Sequence, residues 1–152
     1  MKKIVSLILC AAIACICLVG CGGDSKFVGK WECTKMSENG KTIENELMGV
    51  PLGAFFQFEF KSGGKGYLSS FTTNDDGEAG TEKTDLTWKE DGDTITVTVE
   101  KDGKEDSVDF KLSDGKLVGS FTSNSEVTFK KVDSFTEFDF EEYKKKLLGG
   151  DE

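Results

Sequence analysis

The sequence predicts an all-β fold: eight antiparallel strands in an up-and-down meander, closed into a barrel, with one helix at the C-terminus. Three observations carry this. From Phe27 onward apolar and polar residues alternate with a period of two. Turn signals interrupt that alternation about every 8–12 residues. Asp91-Gly92, Asp102-Gly103 and Asp114-Gly115 each stand between alternating stretches, and Asp-Gly suits the two-residue hairpin turn because both central residues need positive φ. A meander with one apolar face hides its edges best by closing on itself; a two-sheet β-sandwich is the alternative.

The first strand is expected over 27–36, with Phe27, Trp31 and Cys33 on one face. The second and third, 55–62 and 65–72, flank Gly63-Gly64. Taken as a two-residue turn, that pair sets Phe60 against Tyr67 and Phe56 against Phe71. Strands at 82–89, 93–100, 104–112, 116–122 and 126–132 follow. With two-residue turns at each Asp-Gly, Trp88 faces Ile95, Ile95 faces Phe110 and Phe110 faces Gly119. A three-residue loop at Ser123-Asn124-Ser125 then sets Phe121 against Val127 and Gly119 against Phe129. Two apolar rows result: Leu86, Val97, Val108, Phe121, Val127, and Trp88, Ile95, Phe110, Gly119, Phe129. A slip by one residue would invert a strand, so agreement across four hairpins supports the set.

Two segments fall outside the meander. Ile43 to Met48 reads equally as a short helix over the barrel mouth, stopping before Gly49 and Pro51, or as an irregular loop packing Leu47 and Leu52 on the rim. Asp139 to Leu148 reads as a helix packed outside the barrel. Phe140, Tyr143 and Leu147 share one face, Asp139 caps, acids lead and lysines trail.

The N-terminus is of a different kind. Lys2 and Lys3 precede an apolar run from Ile4 to Val19, too short for a bilayer span of roughly 20 residues and suited to a secretory signal. Leu18-Val19-Gly20-Cys21 resembles the lipobox of bacterial lipoproteins. The resemblance implies cleavage between Gly20 and Cys21, a diacylglycerol on Cys21, and tethering to the outer face of a bacterial cell membrane. Two acyl chains are what stable anchoring needs. The expected layout is a signal at 1–20, a flexible tether at 21–26, a barrel at 27–132, and a helix and tail at 133–152. Of the five cysteines, only Cys33 then remains as a thiol, so no disulfide forms within the mature chain. Cys33 reads as a small core residue.

Composition excludes several functions. The chain has 28 acids, no histidine and 19 cations, all of them lysine. Removing Lys2 and Lys3 with the leader leaves 17 lysines against 28 acids, a net −11. That charge argues against nucleic acid and anionic headgroups as partners. Lacking histidine and holding one thiol, the chain is not expected to carry zinc, copper or any cofactor. The acidic stretch Asn74 to Gly80 fails as a calcium loop, since Thr72 and Lys83 would fill its first and twelfth places. Nothing marks a nucleophile or a phosphate cradle, so no enzyme is expected.

Gly29-Lys30-Trp31 opens the first strand, followed by a long first loop, a meander and a C-terminal helix. This layout resembles the lipocalin superfamily, in particular the lipocalin-like domains of small bacterial lipoproteins. In that family the tryptophan packs across the closed end under an arginine; here Lys130 or Lys131 must take that place. The resemblance implies a binding module. Trp31, Phe56, Phe58, Trp88, Phe110 and Phe129 are the candidate interior, and a small apolar molecule the candidate ligand. The alternative is a monomeric envelope interaction protein using its acidic surface on a cationic protein, as barrel-shaped lysozyme inhibitors do.

Overall fold

The computed structural model describes residues 25–73, 76 and 78–148. The chain runs β1 Gly29–Glu38, β2 Lys41–Glu44, β3 Glu46–Leu47, β4 Val50–Pro51, α1 Leu52–Phe55, β5 Phe56–Lys61 and β6 Lys65–Thr73. It continues β7 Ala79–Asp91, β8 Thr94–Lys101, β9 Lys104–Ser113, β10 Lys116–Gly119, β11 Ser125–Val132 and α2 Phe140–Leu148. Strands β5 to β11 pair each with the next, and β1 pairs with both β5 and β11. The ring of eight is closed and antiparallel throughout. Closure removes the unpaired edges that an open meander would leave.

The inward residues explain why the sheet curls. Phe27, Trp31, Phe58, Phe60, Trp88, Ile95, Phe110, Leu117 and Phe129 are among the buried side chains of one cluster inside the ring. Each strand alternates these with solvent-facing polar residues, so the sheet has a single apolar face to hide. The N-terminal end of β1 is sealed. Phe27 is fully buried, and its carbonyl accepts the Trp31 indole N–H at 2.8 Å. Lys131 lies over the Trp31 ring, its ammonium 5.6 Å from the ring centre, and donates to the Lys26 carbonyl. The Trp88 indole N–H closes the β5–β6 turn beside it, donating to the carbonyls of Lys61 and Lys65 at 3.1 and 3.0 Å.

Several expected registers are corrected. The β7–β8 turn is Gly92-Asp93 rather than Asp91-Gly92, with Gly92 at φ +61°. This is the form in which only the first central residue needs glycine. Trp88 therefore faces Val97, not Ile95, and Asp93 is freed to pair with Lys26 at 2.5 Å. Gly119 faces Val127 and Leu117 faces Phe129, because the pairing of β10 with β11 ends there and leaves the seven residues 120–126 between them. Both shifts are by two, so every side chain keeps its face.

The β5–β6 turn shifts by one. Lys61 pairs with Lys65 around Ser62-Gly63-Gly64. Phe60 then faces Gly66 and Phe58 faces Leu68, and Tyr67 and Phe71 turn outward. Gly66 is required there: a Cβ at this position would stand 2.1 Å from the Glu59 carbonyl oxygen. The Asp102-Gly103 and Asp114-Gly115 turns form as expected, both residues of each at positive φ.

Of the two readings of Ile43 to Met48, the helix does not form. Asn39-Gly40 makes a hairpin turn at φ +51° and +79°, so Ile43 pairs with Met36 in β2. Asn45 and Met48 also take positive φ, which no right-handed helix accommodates. The helical turn comes instead after Pro51, as α1, whose Leu52 is fully buried. Helix α2 forms where expected, with the Asp139 carboxylate capping the Glu142 N–H at 2.8 Å. It packs on the outside, where Val50, Ala54 and Phe140 make a second, smaller cluster with Phe55, Phe71 and Tyr143.

Candidate functional site

In the ring order β1-β5-β6-β7-β8-β9-β10-β11, strands β5 and β9 stand diametrically opposite. Yet Phe58 of β5 meets Phe110 of β9 with ring centres 5.5 Å apart. Phe58 also touches Phe129 at 4.9 Å and Phe60 at 5.4 Å, and Phe110 touches Phe129 at 5.7 Å. Rings from opposite walls in contact leave no bore at this level. An eight-stranded barrel is narrow enough for side chains to fill, and here aromatic side chains do so.

Of the candidate interior, Trp31, Phe58, Trp88, Phe110 and Phe129 are all buried. Trp31 and Trp88 plug the sealed end, and the three phenylalanines block the middle. Phe56 differs: it is half-buried at the opposite end, 6.5 Å from the ring of Phe121. Phe121, expected in a strand against Val127, lies beyond the end of β10 and is 46 % exposed. Its ring is edge-on to Phe110 at 6.1 Å. Gly119 admits this packing, since a Cβ there would stand 2.4 Å from the Phe110 ring.

Beside Phe121, a groove of about 530 Å³ opens on the rim, lined by Met36, Ile43, Phe121 and Val127 with Glu38 and Lys41 at its edge. That volume lies within the range of small-molecule sites. Met36 and Ile43 were not singled out by the alternation. The signal that brings them together is Asn39-Gly40, whose hairpin turn lays β2 along β1 above the mouth.

Cys33 is buried, and burial pushes its thiol up to about 11. A thiol held protonated is no nucleophile. The outward Tyr67 is likewise raised, to about 12, by partial burial and by the neighbouring Glu59 carboxylate. Among the described residues no group of three or more Cys, Asp or Glu is placed to hold a metal ion. The acidic stretch 74–80 lies partly outside the described residues, and Gly20, Cys21 and the segment expected as a signal lie wholly outside them.

On the outer wall, Glu32 is 3 % exposed. Its carboxylate accepts both the backbone N–H and the hydroxyl of Thr136, while the Gln57 amide donates to the Thr136 carbonyl at 3.1 Å. This clamp straps the segment after β11 across the barrel and delivers α2 to its place.

The model of the lipocalin-like domain family matches residues 27–119. Two crystal structures are similar to the chain. One, of a lipocalin-like protein from Bacteroides uniformis ATCC 8492, is 14 % identical, covers 71 % of this chain and 100 % of its own, and has a TM-score of 0.48. The other, of an uncharacterized protein from Bacteroides eggerthii DSM 20697, is 17 % identical, covers 70 % and 99 %, and has a TM-score of 0.46. No curated protein matches the sequence.

Proposed function

The chain belongs to the lipocalin-like domain family, and from that premise we propose that it is a non-enzymatic binding module, tethered to the outer face of a bacterial membrane through lipid on Cys21. Its ligand is a small, uncharged apolar molecule taken at the open rim rather than deep inside. One observation supports this placement above others: Phe121 is 46 % exposed at the mouth of a barrel whose middle is filled. A large, partly exposed apolar side chain continuous with an apolar groove is surface that a ligand would cover, which supports this reading. Met36, Ile43 and Val127 supply the remaining wall, and Glu38 and Glu126 outnumber Lys41 at the edge, which disfavours an anionic ligand there.

A neutral fluorescent probe, N-phenyl-1-naphthylamine, tests the site. It should bind the protein saturably, and Phe121→Glu should weaken it at least tenfold, since a carboxylate then borders the apolar wall. Binding unchanged in Phe121→Glu would count against the rim. Salt-sensitive capture of a cationic envelope protein with no probe binding would favour the acidic-surface alternative. The anchor is tested separately: a Cys21→Ser variant should leave the membrane fraction.

A further inference from the structure

A second apolar concavity lies on the outside of the barrel. Its floor is Phe55, Phe71 and Phe140, packed ring to ring at 5.1 Å for Phe55–Phe71 and 4.8 Å for Phe71–Phe140. One wall is the β3–β4 tip and the other is α2, and the Tyr143 hydroxyl ties the two by donating to the Met48 carbonyl. The groove holds about 650 Å³. Around it gather Leu47, Met48 and Leu147, which are 37, 79 and 62 % exposed. Solvent-exposed apolar side chains clustered about a groove are a cost that a ligand relieves.

Two charged residues of opposite sign, Lys144 and Asp76, stand in the lining among the described residues. Lys144 lines it and makes no ion pair among the described residues, whereas Lys146, on the exposed side, is held by Glu142 at 2.7 Å. Lys145 lies next to Lys144 in α2, and Asp76 is the single acid in the lining among the described residues. A concavity between two walls suits an inserted acyl chain better than the flat face of a bilayer.

We propose that this groove binds a single-chain amphiphile with an anionic head, a long-chain carboxylate, its tail on the phenylalanine floor and its head at Lys144. The apolar floor supplies most of the affinity, and the ammonium supplies the sign preference.

Dodecanoate, dodecanol and dodecyltrimethylammonium, titrated below their aggregation limits and followed by methyl resonances, test it. Dodecanoate should shift the methyls of Ala79, Met48 and Leu147 saturably and bind about threefold or more tighter than dodecanol, with the cation weakest. Lys144→Gln should erase the preference for the anion, and Asp76→Asn should strengthen it about twofold. Leu147→Glu, at a site exposed enough to leave folding intact, should weaken dodecanoate about tenfold. The proposal is overturned if shifts appear only at Met36, Ile43 and Val127, or if the cation binds as well as the anion. It is equally overturned if Leu147→Glu merely dissolves a dimer, or if anionic phospholipid vesicles shift these methyls where monomeric dodecanoate does not.

Discussion

Replacing Phe58 by alanine removes the ring on which the filled interior depends. Phe58 is 2 % exposed and touches Phe60, Phe110 and Phe129 within 5.5 Å. Phenylalanine-to-alanine changes in a core cost about 3–5 kcal/mol. The lost ring pairs, about 0.5–1.5 kcal/mol each beyond area burial, place this site near the upper end, at about 5 kcal/mol. A domain of about 120 residues has an unfolding entropy that makes 1 kcal/mol worth roughly 4 °C, so Tm should fall by about 20 °C. Urea unfolding followed by the fluorescence of Trp31 and Trp88, both buried, reads the same loss as a lower midpoint with unchanged slope. Phe58→Leu should cost about 1–1.5 kcal/mol and stays measurable if the alanine variant does not fold. The alanine variant should also take up benzene or xenon, as dry apolar cavities do. A loss below about 1.5 kcal/mol for alanine would refute the reasoning, because the ring would then stand in an already hollow space.

Three further outcomes follow from particular contacts. Gly66→Ala should destabilise by about 2–3 kcal/mol in chemical denaturation, because its Cβ would meet the backbone oxygen of Glu59 and not a side chain that can swing away. Glu32→Ala should cost about 2 kcal/mol and abolish hydrogen-exchange protection at Thr136 while leaving β8 and β9 protected, since the carboxylate clamps only the strap. Stability should fall as pH rises from 9 to 11. The Cys33 thiol ionises near 9.0 when unfolded but only near 11 when folded, so over that window the unfolded chain binds fewer protons. By linkage this loses about 2 kcal/mol over that window, and Cys33→Ala should flatten that part of the profile.

The barrel was legible in the sequence because its evidence is redundant. Moving the β7–β8 turn from Asp91-Gly92 to Gly92-Asp93 shifts the pairing by two, and Trp88 still faces inward. An error of one is not forgiven. Reading Gly63-Gly64 as the whole turn placed Tyr67 and Phe71 inside, whereas the three-residue loop turns them out, where Phe71 meets Phe55 and Phe140. The outer groove was illegible for the same reason. Its floor depends on that single-residue register, and its walls come from distant segments joined by Tyr143 and Met48, 95 residues apart in sequence.

The rim was legible only in part. Asn39-Gly40 signals a hairpin as strongly as any Asp-Gly. The Ile43–Met48 stretch nonetheless suggests a helix to anyone weighing apolar spacing before turn chemistry. The exposure of Phe121 follows from β10 ending at Gly119, which alternation alone does not disclose, since Phe121 continues the apolar row.

A nuclear Overhauser spectrum of the protein with labelled phenylalanines most directly tests whether the ring of strands is closed and filled. Direct cross-peaks are expected between the ring protons of Phe58 and Phe110, which approach only if opposite walls meet. Their absence, together with a cross-peak from either ring to bulk water, would contradict it.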